Sequence, residues 1–151
     1  MAAYEVEREA YLISTARDKL DVGAIHAFLS ERSYWALGIS RERLERAIEH
    51  SVPFGVYDAS GKQIGFARAI TDRETFAYLA DLYIDEAYRG RGLSKLLLEA
   101  VLAHPELQHL RRWMLGTRDA HALYAQFGFV PLEEAERRME LPDPDAYAAA
   151  G

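Results

Sequence analysis

The residues best suited to chemistry lie in one short passage, Arg89-Gly90-Arg91-Gly92-Leu93-Ser94. It joins an apolar, strand-like run to a helical repeat. Leu93, Leu96, Leu97, Ala100 and Val101 recur at the spacing of one helix face. The first turn of a helix leaves about four backbone N–H groups without partners, and the helix dipole places roughly half a positive charge there. Such an end binds phosphate. Gly90 and Gly92 lack Cβ atoms, so an anion can approach the main chain closely. Arg89 and Arg91 add positive charge. A P-loop needs its own Gly-to-Lys spacing, which is absent, and in a Rossmann fingerprint the third glycine would fall on Lys95. The plainer alternative is that the glycines only make a tight strand-to-helix turn.

Other chemistry is narrowed by what the chain contains. There is no cysteine, which removes thiol nucleophiles, thiolate metal sites and disulfides. The five histidines (His26, His50, His104, His109, His121) show no ligand spacing such as H-x-x-x-H, so no metal is expected. The formal net charge is −6, with no basic stripe, which argues against nucleic-acid binding. An acidic balance serves solubility and mildly favours an amine-bearing partner. The start, Met1-Ala2-Ala3-Tyr4-Glu5, has neither the basic stretch nor the apolar run of a signal peptide. No apolar run approaches a membrane span. The expected compartment is the cytoplasm, with no membrane partner.

The elements that must position the loop follow from periodicity. A chain of 151 residues fits one domain. Residues 4–14 read as a strand. Asp21 caps a helix through Ile25, Phe28 and Leu29, and Gly38 stops the pattern. Ser40 caps a second helix with Leu44, Ala47 and Ile48 inward. After Pro53, strands at 54–57, 63–70 and 75–84 are separated by turn-rich segments and form an antiparallel meander. In the third, Phe76, Tyr78, Ala80, Leu82 and Ile84 alternate onto one face. The next strand, 112–116, lies beyond a crossover helix and should pair parallel with the third. A short helix covers 120–127 and stops at Gly128. Phe129 opens another strand, and 138–141 closes the sheet. The tail beyond 141 is expected to fray. The result is an α/β domain with a mixed, mostly antiparallel sheet flanked by helices.

On these residues the chain resembles the GNAT superfamily of N-acetyltransferases. The family's acetyl-CoA motif is a Gln or Arg, two residues, a Gly, one residue, then Gly or Ala. Arg89 and Gly92 fill the first two fixed slots, and Ser94 stands in the last. A second block, Ala120-His121-Ala122-Leu123-Tyr124-Ala125-Gln126-Phe127-Gly128-Phe129, resembles the family's A-x-x-L-Y-x-x-x-G-F segment. The family often has Asn seven residues before that tyrosine; here Thr117 occupies the slot.

The resemblance implies that the strand before the loop splays from its parallel neighbour at the CoA site. Pantetheine would then bond to the main chain of Leu82, Tyr83 and Ile84, and the pyrophosphate to Arg89, Gly90, Arg91, Gly92, Leu93 and Ser94. It implies acetyl-CoA as co-substrate, no metal, and direct transfer to a primary amine in a ternary complex. Tyr124 matches the tyrosine that commonly protonates the leaving thiolate and contacts CoA. Asp81, the only carboxylate within the strand before the loop, is the candidate base; its alternative is a solvated or salt-bridged strand residue. Tyr34 and Trp35 either line the acceptor pocket or close the core. The acceptor is a small amine or a protein amine, and a homodimer is in keeping with the family. The competing function is an acyl-CoA-binding regulatory module with little catalysis.

Overall fold

The computed structural model describes residues 2–148. Six strands form one sheet in the order β1-β2-β3-β4-β5-β6. They are β1 (Glu5–Arg8), β2 (Tyr11–Ser14), β3 (Val52–Tyr57), β4 (Gln63–Thr71), β5 (Phe76–Ile84) and β6 (Arg112–Met114). The first five are antiparallel to their neighbours, and β6 runs parallel to β5. The helices are α1 (Val22–Arg32), α2 (Arg41–Glu49), α3 (Leu93–Leu102) and α4 (His121–Ala125). This is the expected α/β fold with a mixed sheet.

Local signals placed the helices correctly. The Asp21 carboxylate accepts from the Ala24 amide and starts α1, and Ser40 Oγ accepts from Arg43 N–H to start α2. Ile25, Phe28 and Leu29 of α1 and Leu44 and Ile48 of α2 are buried with Phe66 and Tyr83 on one side of the sheet. On the other side, Leu93, Leu96, Leu97, Leu98, Ala100 and Val101 of α3 pack against Val52, Phe54, Val56 and Leu79. Burying such side chains contributes about 1.5–3 kcal/mol each, which holds the sheet between its two helical layers.

Three expectations are corrected. Residues 4–14 are two strands, not one, because Glu9 takes a left-handed φ of 56° and reverses the chain. The alternation along β5 changes phase at Asp81. The register against β4 shifts between Phe66 and Arg68, so Asp81 and Leu82 stand opposite the single residue Ala67. Asp81 adopts φ 59°, as bulged residues can. Leu79 therefore packs with the α3 side, and so do Leu82 and Ile84 beyond the bulge, while Tyr83 turns to α1 and α2. Phe76 and Tyr78 stay partly exposed, at 37% and 36%.

Third, no strand follows β6 among the described residues. Pro131 lacks an amide to donate, and Glu134 takes a left-handed φ of 50° before a short 3-10 turn, Ala135–Arg137. The sheet ends at β6.

Candidate active site

The turn between β5 and α3 is built from its glycines. Gly90 and Gly92 have φ of 81° and 76°, a region that side chains resist. A Cβ added to either would meet nothing within 4 Å, so space lies over this main chain. The first α-helical bond of α3 runs from Leu96 N–H to Gly92 C=O. The amides of Leu93, Ser94 and Lys95 thus lack intrahelical partners. Arg89 Nε donates to Ile84 C=O at 3.1 Å, pinning the loop to the end of β5. The Arg91 side chain turns aside: it donates to Tyr11 Oη at 2.9 Å and lies 5.0 Å from the Tyr88 ring centroid. The Arg91 guanidinium is therefore engaged with these two tyrosines, which corrects the expectation that it adds charge beside the loop.

β5 and β6 pair only at Phe76–Arg112, Ala77–Trp113 and Tyr78–Met114. Beyond Tyr78, residues 79–84 have no strand on that side among the described residues. A cleft of about 750 Å³ opens there. It reaches from Arg89 and Ser94, past Leu82, Tyr83 and Ile84, to Tyr124, Asp81, Tyr34 and Trp35. A smaller hollow of about 250 Å³ over Gly90, Gly92, Leu93 and Ser94 shares Ile84, Arg89, Ser94 and Leu123 with it. The loop and the aromatic wall are thus two ends of one channel.

Tyr124 sits on α4, 9% exposed, and packs edge-on to Phe129 at 5.9 Å. Burial pushes its phenol up from the ordinary value, with smaller contributions from Tyr34 and Asp119. It is protonated at neutral pH and able to donate.

Asp81 is engaged on both oxygens. Arg68 Nε donates to Oδ2 at 2.6 Å and Trp35 Nε1 donates to Oδ1 at 2.9 Å. Arg68 also donates to Ser51 Oγ at 2.9 Å. The Asp81 and Arg68 side chains are 7% and 13% exposed. Trp35 is therefore fixed as a wall of the cleft by its indole N–H, while 40% of it remains exposed. Tyr34 stacks edge-on against Trp35, and its Oη accepts from the Arg118 amide at 2.9 Å. The Arg118 guanidinium covers the Tyr34 ring at 3.9 Å. This contact ties the α1–α2 loop to the β6–α4 loop. Thr117 Oγ1 accepts from Ala120 N–H and helps set the start of α4.

The structure brings all of the residues singled out in the sequence together except Arg91, which lines neither cavity. Leu82, Tyr83, Ile84, Arg89, Ser94, Tyr124, Asp81, Tyr34 and Trp35 line one cleft, and Gly90, Gly92 and Leu93 line the hollow that continues it. Sequence reasoning missed Arg68 and Arg118. Arg68 precedes Asp81 by 13 positions on the neighbouring strand, and only the hairpin register brings them together. No group of three or more His, Asp or Glu side chains suited to a metal ion is found among the described residues. Nor is any helix there long and apolar enough to cross a membrane.

Comparison with known proteins places this geometry. Residues 24–129 match the model of the acetyltransferase (GNAT) family. A Gibberella zeae relative that carries an acetyltransferase name, FG08082, is 36% identical over 141 residues, covering 79% of this chain and 78% of that protein. Serotonin N-acetyltransferase 2, chloroplastic, from Oryza sativa subsp. japonica is 28% identical over 106 residues, covering 66% of this chain and 50% of that protein. A crystal structure from Xanthomonas campestris pv. campestris, described as belonging to the GNAT family, is 45% identical. It superposes with a TM-score of 0.90 over 94% of this chain and 99% of its own. The match covers the loop, the splayed strands and Tyr124 alike: this chain is a member of the GNAT family of acetyltransferases.

Proposed function

We propose that this chain transfers an acetyl group from acetyl-CoA to a primary amine within a ternary complex. The observation that carries the reading is the single cleft joining an open helix N-terminus to a buried, protonated Tyr124 and an aromatic wall. The site fits CoA chemically. The glycine loop leaves unpartnered amides and open space for a pyrophosphate. The free edge of β5 at Leu82, Tyr83 and Ile84 offers main-chain groups to an extended pantetheine arm, as an added strand would use them.

Bound acetyl-CoA would supply an acetyl thioester, and the protein does the rest. The loop amides and Arg89 hold the phosphates. Tyr34 and Trp35 shape the acceptor end. Tyr124 Oη donates a proton to the departing sulfur as the acetyl carbon bonds to the amine nitrogen. Asp81 accepts the proton that the amine gives up, directly or through one water. A carboxylate has about four acceptor sites, and Arg68 and Trp35 use two of them, so capacity remains. With no cysteine, no thiol carries the acetyl group on the protein. The rice relative, named for N-acetylation of serotonin, makes a small amine the first acceptor class to try.

The pairing of Asp81 with Arg68 favours one second reading, an acyl-CoA-binding module with little catalysis. A panel of small amines and lysine peptides, followed by release of free CoA thiol, separates the two. The chain contributes no thiol background of its own. Turnover with at least one amine supports transfer. Tight CoA binding with no turnover across the panel supports the module.

A further inference from the structure

The acceptor end of the cleft carries two guanidinium groups without partners among the described residues. Arg32, Arg89 and Arg118 line the cleft. Arg89 donates to Ile84 C=O and belongs to the loop end. A fourth arginine, Arg68, is engaged by Asp81 and Ser51. The head groups of Arg32 and Arg118 form no ion pair and no hydrogen bond among the described residues.

Both are nonetheless held against the wall. The Arg118 guanidinium lies 3.9 Å from the Tyr34 ring centroid, and that of Arg32 lies 6.0 Å from the Phe28 centroid. Each ring is fixed in turn. Tyr34 Oη accepts from the Arg118 main-chain N–H, and Phe28 stacks on Tyr83 at 3.9 Å. A guanidinium over a ring keeps the N–H groups at its edge available. Planar forks with available donors match the oxygens of a carboxylate or a phosphate.

The carboxylates at this end do not cancel the charge. Asp81 is matched by Arg68. Asp119 also lines the cleft, yet it comes within ion-pair distance of neither arginine. Two unpaired cations therefore face one unpaired anion. This local excess runs against the chain's formal net charge of −6. A simple cationic amine gains no net attraction from such a wall, whereas an amine with an anionic group of its own does.

We propose that the acceptor is a small amine bearing a carboxylate or phosphate, which Arg32 and Arg118 hold while the amine faces Tyr124 and Asp81. This names an acceptor class within the transfer reading above and rests on it. The anionic group takes no part in the transfer. The two arginines set specificity and touch no reacting atom.

Matched pairs of probes test the proposal on the whole chain. Tyrosine and tyrosinamide differ in the carboxylate, and phosphoethanolamine and ethanolamine differ in the phosphate. Calorimetric titration is done on protein saturated with CoA, which has no acetyl group to transfer. At least one anionic member should bind about tenfold or more tightly than its counterpart, the scale of a charge-assisted contact. The pair that shows the preference identifies the anion. Arg32→Gln combined with Arg118→Gln, with an unchanged circular dichroism spectrum, should abolish that preference. The ratio within a pair separates recognition from architecture, because a loosened Tyr34 would weaken both members alike. Turnover with acetyl-CoA is then followed on the same four amines. Failure of every amine to turn over would count against transfer while leaving the anion preference readable in the titration. Equal or undetectable binding of both members in both pairs, or a preference that survives the double variant, would overturn the proposal.

Discussion

The Arg68 guanidinium and the Asp81 carboxylate, on adjacent antiparallel strands, meet at 2.6 Å, and the same carboxylate accepts from the Trp35 indole N–H. One ion pair therefore fixes a wall of the cleft and the bulge in the strand that borders it. Breaking such a buried pair by removing one partner typically costs about 3–5 kcal/mol, because the other charge is left behind.

That relationship separates two roles of Asp81. Asp81→Asn should lower both stability and turnover. Adding Arg68→Met removes the orphaned cation and should restore most of the melting temperature. Turnover should stay low in the double variant, since the carboxylate proposed to take the amine proton is still missing. If turnover returns together with stability, Asp81 serves only to hold Trp35 and the bulge.

Tyr124→Phe keeps the ring and its edge-on contact with Phe129, so the fold should survive. Loss of a positioned proton donor typically lowers rate by about 10²–10⁴-fold. The smaller loss is expected, because a thiolate leaves tolerably well unaided. CoA affinity, read by calorimetric titration on the same preparation, should hold. A turnover within about threefold of the parent, far short of that range, would leave Tyr124 a packing residue.

Gly92→Glu places bulk and negative charge over the open loop, and CoA binding should disappear. The substitution also strains a left-handed backbone by roughly 1–2 kcal/mol. Gly61→Glu is the matched control: its φ of 88° imposes similar strain, with nothing within 4 Å and no place in the cleft. CoA affinity should be lost in the first variant and kept in the second.

His104 sets an acid limit on stability. Its Nδ1 accepts from the Glu106 amide at 3.0 Å, and its ring packs against Tyr4 and Phe54. Burial chiefly pulls the imidazole below its ordinary value; Glu106 opposes this and Arg73 adds to it. The unfolded chain, with a histidine near about 6.5, therefore binds the proton more readily than the folded one. The stabilising contribution is present above that value and is lost as pH falls through the lowered folded value. His104→Asn retains a capping acceptor without the titration. Between neutral and mildly acidic pH, its melting temperature should fall less than the parent's.

Local chemistry made much of the site legible. The glycine loop, the α3 repeat, the Asp21 and Ser40 caps and Tyr124 each depend on neighbours within a few residues, which is where sequence patterns are informative. Arg68 with Asp81, and Tyr34 with Arg118, are contacts across 13 and 84 positions, set by register and by loop packing. The bulge had one local trace. Leu82-Tyr83-Ile84 is apolar without alternation, as a strand buried on both faces would be. The missing strands after α4 had a trace too, in Pro131 and the glutamates around it.

The bulge at Asp81 also lets β5 carry one residue more than its pairing with β4 requires. Deleting Asp81 would restore regular pleating, with Leu82 alone opposite Ala67 and with Tyr83 and Ile84 still opposite Phe66 and Gly65. Leu82 and Ile84 would stay on the α3 side and Tyr83 with α1 and α2, while Arg68 and the Trp35 indole would lose the carboxylate they share. The extra residue thus adds a carboxylate at the cleft without altering which core any later side chain enters.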